Sequence, residues 1–279
     1  MAETSNQEAN QSQPSGRREK TEPKFGRVKR VLAVMSGKGG VGKSTVSALL
    51  AVALARSGQQ VGVLDADITG PSIPRMFGLN GGVVGAPTGG IMPPADKLGI
   101  KVMSLNLLLP SEDDPVIWRG PLIAGTVKQF WEEVVWGQLD VLVVDLPPGT
   151  GDVPLTVMQV FPLNGIVIVS SPQDLALMVV RKAINMARVL EVPLLALIEN
   201  MSYAVCPHCG QELRLFGPSR APELAAGTGI PLTATLPLDP ELSRYCDTGR
   251  VADYRAPAVE KLAADLMALP AMREEGAAS

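Results

Sequence analysis

The stretch that decides the fold is VLAVMSGKGGVGKSTVSALLAVALAR, running from Val31 to Arg56. Val31–Met35 is apolar on both faces, the pattern of a strand covered from two sides in a parallel sheet. Lys43–Arg56 is a helical candidate. Between them lies GKGGVGKS, Gly37 to Ser44, which fits G-x-x-x-x-G-K-[ST]. Glycines let such a loop curl until its N–H groups converge on phosphate oxygens, and the helix start adds partial positive charge. Lys43 would reach the β- and γ-phosphates of ATP and Ser44 would ligate Mg²⁺. A glycine-rich turn that binds nothing can carry the same letters, but a strand before and a helix after are the context phosphate binding requires.

Outward from this stretch the alternation continues. Val61–Leu64, Val141–Val144, Gly165–Val169 and Leu194–Ile198 read as further buried strands, with Leu122–Trp136 and Asp174–Leu190 as helices. Alternation of this kind predicts an α/β fold, a mostly parallel sheet covered by helices on both faces. The 279 residues contain no linker, so a single domain over 30–270 is expected. A hydrophobic fraction of 46% excludes global disorder, and a net charge of −3 argues against a nucleic-acid partner. The apolar run Val46–Ala55 is too short to span a membrane. Residues 1–29 are polar, with no apolar core of a leader, and predict a flexible tail on a cytoplasmic protein. Residues 271–279 are expected to be disordered, and Asn80–Gly99, rich in Gly and Pro, reads as a surface excursion with a small hairpin. Val259–Leu269 has helical periodicity but only Lys261 as a cation, so it should pack on the body and not on a membrane.

Carboxylates close two strands: Asp65 and Asp67 after the second, Asp145 at the end of VLVVD. At that end of an open sheet a carboxylate can hold Mg²⁺, orient water, or merely cap the next helix, and a capping role is open to Asp152 as well. Lys38 is either a solvated loop lysine or a cation that reaches a partner's phosphates. Asn200 offers a donor and an acceptor, which suits an adenine edge or a turn. Cys206-Pro-His-Cys209 has three readings: a redox dithiol, half of a metal site completed by a second copy, or inert cysteines. His208 lies between the two and is badly placed as a third ligand, and Cys246 carries no assigned role.

SGKGGVGKST followed by VGVLDAD resembles the deviant Walker A ATPases, which include the nitrogenase iron protein, MinD, ParA-type partition proteins and Mrp/ApbC carriers. DADITGPSIPRMFG, VIWRGP, DLPPGTGD, SSPQDLAL and ENMSYAVCPHCG together resemble the Mrp/ApbC iron–sulfur carrier branch of these P-loop NTPases, from about Val31 to Asp239. The resemblance implies slow ATP hydrolysis in a homodimer, with Lys38, Lys43 and Asp67 catalytic. ATP would lie on Gly37, Lys38, Gly39, Gly40, Val41, Gly42, Lys43, Ser44, Thr45 and Asn200, with Leu236–Pro240 flanking the base. Mg²⁺ would be held by Ser44, Asp67 and Asp145, and DLPPGTGD would act as the switch segment. Cys206 and Cys209 of two chains would hold one bridging [4Fe–4S] cluster, received from cluster donors and passed to apo iron–sulfur proteins. Residues 1–29 contain no cysteine, so the N-terminal cluster of eukaryotic cytosolic relatives is missing. Two rival readings are a MinD/ParA-like positioning ATPase and an ATPase whose dimer is stapled by zinc.

Overall fold

The computed structural model describes residues 20–67, 70, 72–79, 82–87, 89–108, 120–173 and 178–273. The chain opens with β1 (Gly26–Val28), β2 (Val31–Ser36), α1 (Lys43–Arg56), β3 (Val61–Asp65) and the short α2 (Ile73–Met76). It continues with β4 (Val84–Gly85), β5 (Ile91–Met92), β6 (Lys101–Ser104), α3 (Gly120–Glu133), β7 (Gly137–Leu139) and β8 (Val141–Asp145). Next come α4 (Asp152–Val160), β9 (Leu163–Ser170), α5 (Met178–Val189), β10 (Leu194–Val205) and β11 (Glu212–Leu213). The last elements are α6 (Ala221–Thr228), β12 (Leu232–Pro237), α7 (Pro240–Asp247) and α8 (Pro257–Ala268).

The main sheet runs β11-β10-β9-β2-β8-β3-β6, with β12 also paired to β10. All its pairings are parallel except β10 with β11. Strand residues alternate between two cores, as the pleat requires. Val31, Ala33, Met35, Leu142 and Val144 face α3, α4, α5 and α6. Leu32, Val34, Val141 and Val143 face α1, α2, α7 and α8. The strand after which the loop turns, β2, lies between β8 and β9, so its carboxyl end opens into the crevice where open α/β sheets bind ligands.

Helix α1 spans the predicted residues. Its Ala and Leu content favours helix, and it is buried on nearly every side, from Val46 through Leu54. Each fully buried aliphatic side chain there contributes about 1.5–3 kcal/mol. Arg56 in its last turn donates to the carbonyls of Ala252 and Tyr254, both at 2.8 Å, fixing α1 against the α7–α8 connection. The Asn80–Gly99 excursion does carry a hairpin, β4 against β5.

Four boundaries differ from the sequence reading. The tail predicted through residue 29 is docked in its described part: β1 pairs with β7, Pro23 and Val28 are buried, and Trp131 Nε1 donates to Thr21 O at 3.0 Å. Apolar residues spaced among polar ones gave no periodic signal there. At the other end, Met272 is buried and Asn164 donates to Ala271 O at 3.0 Å, so order extends past residue 270. Helix α3 stops at Glu133, short of Trp136, because Val134 and Val135 pair with Ile91 instead. Finally, β10 does not end at Ile198 but continues to Val205, so Asn200 lies within a strand and not in a turn after it. The first residues of the Asp174–Leu190 helix, the VIWRGP segment up to residue 119, and residues 1–19 and 274–279 lie outside the described residues.

Candidate functional site

Between Ser36 and Lys43 the chain reverses from strand to helix, and two glycines make that possible: Gly40 at φ +81° and Gly42 at φ +78°. The loop is tied down from three sides. Ser36 Oγ donates to Lys38 O at 3.0 Å, Gly149 N–H donates to Ser36 O at 2.8 Å, and Asn200 Nδ2 donates to Val41 O at 3.0 Å. A Cβ on Gly42 would stand 2.2 Å from Asn200 Nδ2, so that amide packs directly beneath the turn. The loop lines a cleft of about 260 Å³ together with Asp67, Ser72, Met76 and Pro148. Gly39, Gly40, Gly42, Lys43, Ser44 and Thr45 all face this cleft, as does Lys38, which unlike Lys43 is exposed. Gly37 and Val41 are buried behind it.

Below the loop the strand ends bring carboxylates together. Asp65 and Asp145 are register partners on β3 and β8, and both are buried. Asp145 accepts at Oδ2 from Lys43 Nζ (2.8 Å) and Ser44 Oγ (2.5 Å), and at Oδ1 from Ser47 Oγ (2.6 Å). Asp67 approaches Lys43 to 3.9 Å. Asp65 accepts from the backbone N–H groups of Asp67 (3.1 Å) and Ile73 (3.3 Å), which ties the start of α2 to the end of β3. Burial, reinforced by Asp145, pushes the Asp65 carboxyl up to about 8 against the pull of Lys43. Hence a single buried ammonium serves three carboxylates, and the donors gathered there are hard oxygens. Asp152 stands apart from this cluster as the exposed first residue of α4, where it faces the helix dipole.

The cysteines occupy a separate structure. β10 and β11 form an antiparallel hairpin in which Val205 pairs with Glu212, and Cys206 to Gln211 form its tip. Cys206 N–H donates to Gln211 O and Gly210 N–H to Cys206 O, both at 2.9 Å, with Gly210 left-handed. The backbone N–H groups of Cys209 and then His208 are directed at Cys206 sulfur and hold its thiol below the ordinary range. Both thiols are free and reachable, Cys206 half-buried and Cys209 exposed. The apolar side chains of Val205, Leu213, Leu215, Phe216 and Leu238 lie exposed on the hairpin and the segments beside it. Cys246 is far from this arrangement in character: it is buried in the α1-side core, with its thiol pushed up to about 11. Among the described residues no group of three or more His, Cys, Asp or Glu side chains is arranged to hold a metal ion, so the hairpin thiols have no third such ligand beside them.

One strand joins the two structures. β10 carries Asn200 under the phosphate loop and leads at Val205 directly into Cys206, with left-handed Met201 (φ +56°) on the way and its register with β12 shifting between Glu199 and Tyr203. Glu199, also buried, accepts from Ser202 Oγ and from Arg220 N–H at 3.3 Å. Sequence reading missed Ser47 and Glu199. The available signal was a lone polar residue inside an apolar run: Ser47 in VSALLAVALA and Glu199 at the end of LLALIE.

Fold and site together define a P-loop nucleoside triphosphatase of the ParA/MinD type. Residues 27–268 match the family described as ParA, NUBPL iron-transfer P-loop NTPase, and the chain belongs to that family. A protein of Clostridium perfringens named iron-sulfur cluster carrier protein is 46% identical over 239 residues, covering 83% of this chain and 84% of its own length. A protein of the same name from Methanocaldococcus jannaschii is 46% identical over 224 residues, 80% of this chain and 77% of its own. Among solved structures, a nucleotide-binding protein of Archaeoglobus fulgidus in complex with ADP superposes with TM-score 0.75 at 49% identity, covering 83% of this chain and 90% of that one. MinD of Aquifex aeolicus superposes at 0.58 with 21% identity, over 85% of this chain and 97% of its own, a likeness of fold alone.

Proposed function

We propose that this chain is an ATP-hydrolysing iron–sulfur cluster carrier that works as a homodimer, with Cys206 and Cys209 of two protomers sharing one [4Fe–4S] cluster as cargo. The observation that carries the reading is the hairpin tip: two reachable thiols, with backbone N–H groups aimed at Cys206 sulfur, directly after the strand that supports the phosphate loop. Two thiolates fill half of the four protein positions a cubane cluster or tetrahedral zinc uses, so a second hairpin supplies the rest. The exposed apolar side chains around the tip fit burial against that second copy.

Beside Asn200, six residues back along the chain from Cys206, the loop N–H groups and Lys43 bind the ATP phosphates, and exposed Lys38 reaches those of the facing protomer. Ser44, Asp145 and Asp67 are oxygen donors that fit Mg²⁺, which when bound neutralises phosphate charge. Asp67 orients the attacking water. Asn200 spends one amide proton on Val41 O and keeps a second proton and its carbonyl for the adenine edge. Apo iron–sulfur proteins receive the cluster.

Anaerobic reconstitution with iron and sulfide tests this. Wild type is expected to gain both elements and a visible absorption band, while Cys206→Ser and Cys209→Ser gain neither and still bind ADP. Zinc at about half an equivalent per chain, retained through reconstitution, would replace the carrier reading with a zinc-stapled ATPase.

A further inference from the structure

Ser47 stands alone as a hydroxyl in the apolar stretch of α1 and is fully buried. A buried hydroxyl without a partner is costly, and in a helix the usual remedy is the carbonyl four residues back. That carbonyl, Lys43 O, lies at 3.1 Å, but Asp145 Oδ1 lies closer, at 2.6 Å. The hydroxyl has one proton, and a carboxylate is the stronger acceptor, so the proton goes to Asp145.

Asp145 then has an unequal set of donors. Its Oδ2 accepts from Lys43 and Ser44, the residues whose chemistry in this loop is directed to phosphate and metal. Its Oδ1 accepts from Ser47, which sits one helical turn deeper and does not line the cleft. When Lys43 and Ser44 turn to a nucleotide, Ser47 is the member of the three that stays on the carboxylate.

We propose that Ser47 is a positioning residue of the ATPase: by holding Oδ1 of Asp145 it keeps Oδ2 aimed at the metal-bearing end of the phosphate cleft. The inference rests on the nucleotide reading above and adds to it a residue outside the loop motif. Substituting Ser47→Ala leaves the loop's backbone donors and Lys43 in place and frees the carboxylate to rotate.

The test compares wild type, Ser47→Ala and Ser47→Thr by calorimetric ADP binding in EDTA and in Mg²⁺, by steady-state hydrolysis, and by thermal melting. In EDTA, ADP affinity is expected to stay within about 2-fold of wild type in both variants, because no phosphate contact changes. The tightening of ADP by Mg²⁺ should be lost in Ser47→Ala. Its kcat should fall about 10- to 100-fold, the range for losing one hydrogen bond to a charged group. The Mg²⁺ concentration for half-maximal activity should rise, and Ser47→Thr, which keeps the hydroxyl, should restore both readouts. If Ser47→Ala does not melt cooperatively, Ser47→Cys, close in volume and a weak donor, carries the same expectation. Wild-type Mg²⁺ dependence in Ser47→Ala overturns the proposal, as does an equal loss in Ser47→Thr with an unchanged melting temperature. Wild-type protein that binds no ADP overturns the nucleotide reading itself.

Discussion

Replacing Lys43 with Met removes one charge while nearly preserving volume, and its effect on folding follows from the carboxylates around it. The ammonium sits 2.8 Å from Asp145 and 3.9 Å from Asp67, with only 6% of its side chain exposed. It also restrains Asp65, whose carboxyl burial and Asp145 hold up at about 8 even against the pull of Lys43. Without it, the cheapest response of the buried site is to bind one more proton. Holding a proton on a carboxylate of ordinary pKa 3.9 costs about 1.36 kcal/mol per pH unit, so the ceiling is about 4 kcal/mol at pH 7 and about 1.5 kcal/mol at pH 5. Ser44 and Ser47 still donate to Asp145, which brings the expected losses to about 2–4 and about 1 kcal/mol. The sign follows from linkage: between these pH values the folded variant binds more protons than the unfolded chain, so its stability falls as pH rises. Urea unfolding of both proteins at pH 5 and pH 7 measures this. Equal losses at the two pH values, or a loss below about 0.5 kcal/mol at pH 7, would refute the reasoning.

Gly42→Ala should cost about 2–3 kcal/mol, from a left-handed backbone at φ +78° and the displaced Asn200 amide, and should abolish ADP binding. Thermal melting and calorimetry check it, and undiminished binding contradicts it. In apo protein at neutral pH, iodoacetamide should modify Cys206 well before Cys246, because thiolate is the nucleophile and the two thiols are shifted in opposite directions. Raising the pH should narrow the gap, and peptide mapping that finds Cys246 modified first contradicts the assignment. Deleting residues 1–28 removes β1 with buried Pro23 and Val28 and should lower stability by about 2–4 kcal/mol in urea. A true tail would cost nothing measurable.

The sheet and the phosphate loop were legible in the sequence because strands buried on both faces leave continuous apolar runs, and a strand–loop–helix phosphate site leaves fixed glycines. Val31–Met35 and Lys43–Arg56 differ from the observed elements by a residue at most. The edges were less legible. β1 is held by a short parallel pairing and by side chains from residues far along the chain, none of which creates a local period. β10 runs on past Ile198 through polar residues because β11 and β12 flank it, a tertiary override that propensity cannot show. Asn200 was placed near the nucleotide by resemblance, yet its bond to Val41 O became visible only in three dimensions. The roles of Cys206 and Cys209 depend on what meets the hairpin tip, and no local pattern in the sequence shows that.

Native mass spectrometry of the anaerobically reconstituted protein measures directly what meets the hairpin tip. The account requires a species of two chains carrying one [4Fe–4S] cluster, which collapses to cluster-free chains in Cys206→Ser. A full cluster on a single chain, or a two-chain species whose iron content is unchanged by Cys206→Ser, would contradict it.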